Sequence, residues 1–216
     1  MKKTILVFSF FGLLASVCSA AHRVSVSNHI AQGSAMPLIK HSGPGQWDNA
    51  LAMNLAYDPA MNARLDISAL LGVKLDYFKG WDPRGEAHIT VITPLEYWDV
   101  LQQKLTMDEI HAIALNLGIQ SSDVRLLGIG SGRAVLNGKT EETFFFIAES
   151  QNLRRIRREI ARRFEEKGGR PGLFAPEDFY PHITIGYTMS DLHIKDGVIK
   201  DIAHSGDSRL ELRLLY

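Results

Sequence analysis

The feature that most narrows how this chain can fold is a short pattern that occurs twice, as Ala87-His88-Ile89-Thr90-Val91 and as Pro181-His182-Ile183-Thr184-Ile185. β-Branched residues dominate both segments, and their stiff side chains favour extended backbone. Along a strand, side chains two apart share a face. Each segment therefore sets an imidazole and a hydroxyl side by side, while the intervening isoleucine faces the opposite layer. A strand of this kind lies at the edge of a core, apolar side inward and polar side free for other work. One His-x-Thr on a strand marks little, because a lone strand histidine is usually structural. Two of them, in separate halves of one chain, mark a pair.

The rest of the chain supplies a mixed α+β order around these strands, without a long series of parallel units. Val73, Leu75 and Tyr77 alternate with Lys74 and Asp76, which predicts a strand over 73–78, with apolar Phe78 the exception. Trp81-Asp82-Pro83-Arg84-Gly85 reads as a turn, and 87–92 as the first motif strand. Thr93-Pro94-Leu95-Glu96 combines a capping threonine, a proline at the first helical position and a glutamate three residues after the cap. Thr106-Met107-Asp108-Glu109 repeats that signal, and Gly118 closes the second helix.

A strand is expected over 124–129, broken by Gly130-Ser131-Gly132. Asn137-Gly138 predicts a hairpin turn that joins 133–136 to 143–148 through a slightly longer loop. Phe144-Phe145-Phe146-Ile147 is apolar on both faces and belongs near a sheet centre. Ser150 caps a helix that Gly168-Gly169 stops, with Leu153, Ile156, Ile160 and Phe164 on one stripe. A loop over 170–178, a second motif strand over 180–187 and a closing strand over 209–214 complete the pattern. Residues 22–62 are rich in Gly, Pro, Ser and Asn, and read as an extended arm with a short helix around 47–57.

The chain opens with Lys2 and Lys3, an apolar and small-residue run over 5–17, and the small residues Ser19, Ala20 and Ala21. This is the composition of a secretory signal peptide with cleavage near Ala20 or Ala21, and the run is too short for a membrane span, which needs about 20 apolar residues. The expected organisation is a signal peptide at 1–21, an N-terminal arm at 22–71 and a folded domain at 72–216, in a secreted or periplasmic protein with no stable membrane insertion after cleavage. Cleavage removes Cys18, the single cysteine, so no disulfide supports the mature fold. Taking Lys2 and Lys3 from 24 basic residues against 24 acidic leaves a net charge of −2. Global charge therefore predicts neither nucleic-acid nor membrane affinity, and an anionic substrate has to be met by a local patch.

From about Val73 to Tyr216 the chain resembles the 2H phosphoesterase superfamily, named for paired His-x-Thr/Ser motifs. The resemblance is carried by Ala87-His88-Ile89-Thr90, Leu127-Gly128-Ile129-Gly130, the strand running to Ser150, the helix of Leu153 and Phe164, and Pro181-His182-Ile183-Thr184. It implies a bilobal α+β fold, two pseudo-symmetric antiparallel sheets flanked by helices with a central cleft, and one motif strand from each lobe facing a phosphate. It also implies cleavage of a phosphodiester, most often a 2′,3′-cyclic nucleotide or an RNA end, without a metal or other cofactor.

Elementary chemistry agrees with that implication. Opening a cyclic phosphodiester takes a proton from water and gives one to the departing ribose oxygen, and histidine suits both tasks. His88 and His182 are the candidate acid and base, in an order the sequence leaves open. Thr90 and Thr184 are candidate donors to the non-bridging phosphate oxygens. Tyr180 and Tyr187 are candidates to stack on a base or to pack in the core, and Arg84 and Lys79 are candidate phosphate partners. No zinc-type spacing of His, Cys or Glu is present. His22, His29 and His41 read as scattered surface histidines of the arm, His111 as a helix residue, and His193 and His204 as loop residues. The run Arg154, Arg155, Arg157, Arg158, Arg162, Arg163 reads as a solvated face offset by Glu159, Glu165 and Glu166, with steering of RNA or phosphate as the other reading. The competing function is a secreted nucleotide- or anion-binding module without catalysis.

Overall fold

The computed structural model describes residues 20–79 and 85–216. Most of the signal-peptide segment, and Arg84 with most of its turn, lie outside the described residues. In chain order the elements are strands β1 (His22–Ser27) and β2 (Leu51–Leu55), helix α1 (Tyr57–Leu71), β3 (Ala87–Ile92), helices α2 (Pro94–Asp99) and α3 (Met107–Asn116), β4 (Arg125–Leu136), β5 (Lys139–Glu149), α4 (Gln151–Glu166), β6 (His182–Tyr187), the single turn α5 (Ile202–Ser205) and β7 (Leu210–Leu215). Among the described residues three sheets form: β1 parallel to β7, β2 antiparallel to β3, and the antiparallel order β4-β5-β6. The α+β class follows from this mixture. No helix among the described residues is long and apolar enough to cross a membrane.

The local signals act where their chemistry requires. Thr93 and Thr106 each accept the backbone N–H of the glutamate three residues on, and Glu96 and Glu109 accept the threonine N–H in return at 2.8 and 3.0 Å. Such a cap is worth about 1 kcal/mol. Asn137 (φ 53°) and Gly138 (φ 76°) make a two-residue turn, tighter than the loop expected, because both adopt the positive φ that this hairpin demands. β5 is the middle strand of its sheet. Phe144 and Phe146 enter the main core on one face, while Phe145 and Ile147 meet Leu192 and Val198 on the other.

The structure corrects three expectations. Residues 22–62 are not an extended arm with a helix around 47–57: β1 pairs with β7, β2 (51–55) with β3, and the helix α1 opens only at Tyr57 and sends Ala60, Ala63 and Ile67 into the core. β1 does alternate, with Val24 and Val26 buried between exposed neighbours, but six residues are a short signal among glycines and serines. The strand over 73–78 shrinks to a single bridge between Asp76 and Tyr187. Gly130-Ser131-Gly132 does not break a strand, since β4 runs straight through it. The glycines serve close packing instead. A Cβ at Gly132 would lie 2.3 Å from Val198 Cγ1, and one at Gly130 would lie 2.5 Å from the Phe145 ring and 2.9 Å from the Ser205 carbonyl. The chain after β6 thereby folds back onto the β4-β5-β6 sheet.

Candidate active site

β3 and β6 belong to different sheets but run beside each other, with Cα atoms within 8 Å. Both bury their isoleucine side in the same core: Ile89 and Val91 from β3, Ile183 and Ile185 from β6. Period two then turns His88 and Thr90, and His182 and Thr184, away from that core, and all four are partly exposed. No hydrogen bond among the described residues joins the two motifs. They are brought together by the adjacency of their strands.

Around the first motif, His88 Nδ1 lies 3.2 Å from a Glu86 carboxylate oxygen, and the Phe78 ring meets the imidazole edge-on at 5.8 Å. His41 is the unforeseen member of this group. Its segment bridges to Ala50 at the entrance to β2, and burial lowers its pKa while Glu86 opposes that shift and His88 adds to it. His111, fully buried, turns Nε2 to the Ala50 carbonyl at 3.3 Å, and burial lowers its pKa.

The second motif is more elaborate. His182 Nδ1 stands 2.7 Å from the Tyr180 carbonyl, which can only accept, so the ring proton is on Nδ1 and the lone pair on Nε2. That lone pair faces Lys200 Nζ at 3.2 Å. Burial, and then the Lys200 charge, push the His182 pKa down to about 3, and the ring is neutral. Asp191 gathers the remaining donors. It accepts from Thr143 Oγ1 at 2.7 Å, Thr184 Oγ1 at 2.9 Å and Lys200 Nζ at 2.7 Å, with His193 Nε2 4.0 Å away. Burial opposes ionisation of Asp191, but Lys200, His182 and His193 hold its carboxyl well below the usual range. Burial lowers the Lys200 pKa against the same carboxylate.

Sequence reasoning missed Asp191, Lys200 and His193. All three ride on the segment that packs over Phe145 and Ile147 through Leu192 and Val198. The local signal for that packing was the glycine pair in β4.

Arg157 also departs from the solvated-face reading. Its side chain is 1% exposed. It donates to the Val91 carbonyl at 2.6 Å, to Pro176, Ala175 and Asp178 carbonyls at 2.9, 3.0 and 3.2 Å, and to Glu96 at 2.8 Å. One guanidinium thus ties the end of β3 to the loop that enters β6. Arg158 and Arg162 fit the solvated reading better, on exposed Glu177 and half-buried Glu159, while Arg154 is half-buried and paired with Glu149.

Of the secondary candidates, Tyr180 contributes its carbonyl to His182. Tyr187 is half-buried, pairs its backbone with Asp76, and has its phenol pKa raised by burial and by Asp76 and Asp191. Lys79 lies 3.9 Å from Asp76 and 5.5 Å from the Tyr77 ring centre, exposed rather than turned to either motif. Among the described residues no group of three or more His, Cys, Asp or Glu is placed to hold a metal ion. A family model described as "Swiss Army Knife, 2H phosphoesterase domain" matches residues 49–193. No curated protein and no solved structure matches the chain.

Proposed function

The chain belongs to the 2H phosphoesterase family, and from that premise we propose that it hydrolyses a 2′,3′-cyclic nucleotide or RNA-end phosphodiester, with His182 as general base and His88 as general acid. The observation that carries this reading is the opposite surroundings of the two imidazoles. His182 is held neutral, its lone pair on Nε2, by the Tyr180 carbonyl and a buried ammonium. His88 has the Glu86 carboxylate 3.2 Å from Nδ1, an acceptor for a ring N–H at that nitrogen. A cation beside one imidazole and a carboxylate beside the other are surroundings of opposite sign, and these favour a base at the first and an acid at the second.

On this reading the phosphate lies in a cleft between the two pseudo-symmetric sheets. Water attacks phosphorus as His182 Nε2 takes its proton. The bond from phosphorus to one ribose oxygen breaks, and His88 protonates that oxygen, leaving a phosphomonoester. Thr90 and Thr184 donate to the non-bridging oxygens as charge grows on them. The test is turnover of 2′,3′-cyclic AMP in excess EDTA by the wild type and by the His88→Ala and His182→Ala variants. Loss of about 10²-fold or more in each variant is expected. A folded variant with full turnover sinks the assignment.

A second reading, a binding module for nucleotides or anions, draws on one observation: Thr184 and His182 Nε2 are both engaged within the protein. It predicts nucleotide binding by the wild type with no turnover of any phosphodiester. The same proposal has the protein acting outside the cytoplasm, secreted or periplasmic. Lys2, Lys3 and the apolar run support that, and β1 begins at His22, so cleavage near Ala20 or Ala21 leaves the first strand whole.

A further inference from the structure

The Asp191 carboxylate sits among two threonine hydroxyls and a buried ammonium, one step from the neutral imidazole of His182. Two hydroxyls and an ammonium around one anion are donors of the kind that a phosphoryl group takes, and the lone pair of His182 Nε2 lies beside them. Thr184 has a single proton to give, and Asp191 Oδ2 receives it. Lys200 is 3% exposed, and its ammonium reaches both Asp191 Oδ1 and His182 Nε2. Any phosphate oxygen that comes within reach of His182 Nε2 therefore meets Lys200 as well.

We propose that Lys200 is a third phosphate-binding residue of this site, with Thr143 beside it, and that Asp191 is the internal anion that holds these donors until the substrate phosphate takes its place. The inference rests on the phosphoesterase reading for its chemistry, but not for its anion-binding geometry. In the resting state Lys200 and Thr184 donate to Asp191, and Lys200 also covers the base. When a phosphodiester enters, its non-bridging oxygens accept from Lys200, Thr143 and Thr184, and Asp191 moves aside. His182 Nε2 is then free to take the proton of water. Phosphorus chemistry is unchanged by this exchange, and Lys200 contributes charge stabilisation in the transition state. The covering segment that carries Asp191 and Lys200 is held by Leu192 and Val198 against Phe145 and Ile147.

The experiment compares wild type, Lys200→Met, Lys200→Arg and the double variant Lys200→Met/Asp191→Asn. The double variant removes both charges together and guards against a single variant that unfolds because Asp191 is left unpaired. Two quantities are read on folded protein: binding of inorganic phosphate, followed by the imidazole NMR signals of His182, and turnover of 2′,3′-cyclic AMP against pH. Lys200→Met and the double variant are expected to lose about 10²-fold or more in kcat/KM, with Lys200→Arg partly restored. In the Lys200→Met variant the acid limb of the profile shifts to higher pH, because Asp191 remains beside His182 to favour the imidazolium, His193 opposes it as before, and the Lys200 ammonium is gone.

Phosphate binding that is equal in wild type and the double variant overturns the proposal. So does unchanged kcat/KM in a folded variant that turns over substrate. If no phosphodiester is turned over yet phosphate binding depends on Lys200, the phosphoesterase reading fails and the anion site stands.

Discussion

Replacing Arg157 by methionine removes a side chain that binds the end of β3 and the entrance of β6 together. Methionine keeps much of the volume and none of the five hydrogen bonds, to Val91, Ala175, Pro176, Asp178 and Glu96. Breaking a buried ion pair from one side costs about 3–5 kcal/mol. The Glu96 side chain is 26% exposed, so water recovers part of its charge and the electrostatic share falls below that range. Against this, each backbone carbonyl that loses its donor without gaining water adds about 1–3 kcal/mol, and these costs do not sum because water enters the vacated space. The net expectation is about 3–5 kcal/mol, which for a domain of this size lowers Tm by roughly 6–20 °C.

Thermal melts followed by circular dichroism measure it, with Arg157→Lys alongside. Lysine keeps a charge but not the planar fork, and should recover less than half of the loss. The deficit should persist in about 1 M salt, because a buried pair is poorly screened. Catalytic turnover of the folded fraction should fall too, since Val91 follows Thr90 directly and Asp178 lies four residues before His182. A Tm change under about 3 °C for Arg157→Met, where 1 kcal/mol corresponds to roughly 2–4 °C, refutes the account of Arg157 as the tie between the motif strands.

Stability should fall as the medium is acidified from about pH 6.5, because the unfolded histidines take up protons there while folded His182, with a pKa of about 3, does not. His41, His111 and His193 shift in the same direction, and Asp191 adds a loss at still lower pH, so urea midpoints between pH 7.5 and 4 should decline and His182→Gln should reduce the slope. Gly132→Ala drives a Cβ to 2.3 Å from Val198 Cγ1 and should cost about 1–3 kcal/mol in a melt, with a larger fractional loss of activity because Val198 is two residues from Lys200. Mass spectrometry of the protein recovered from outside the cytoplasm should show a chain that starts at Ala21 or His22; a chain that retains Met1 overturns the signal-peptide proposal.

Much of the scaffold was legible because it is written in short, regular patterns. The alternation of His88 and Thr90 with Ile89, and of His182 and Thr184 with Ile183, needs only the period of a strand, and the burial follows it. The capping threonines, the Asn137-Gly138 turn and the doubly apolar β5 are equally local. Where a pattern had two physical meanings the reading went astray. Gly130 and Gly132 look like a break and are instead clearance for a returning segment. Arg157 looks like its exposed neighbours, and nothing within its own helix turn says that five acceptors from β3, α2 and the loop before β6 converge on it.

What the sequence by itself determined is thus each motif strand and which of its side chains face away from the core. These depend on backbone sterics and on burial of β-branched residues, which act within a few positions of one another. What the tertiary structure alone decided is the company those side chains keep. Glu86 and His41 stand at His88, and Asp191 and Lys200 stand at Thr184 and His182. A charged residue in a loop carries no local mark of its partner, because the pairing energy appears only when packing elsewhere, here Leu192 and Val198 on Phe145 and Ile147, excludes water and brings the charges together.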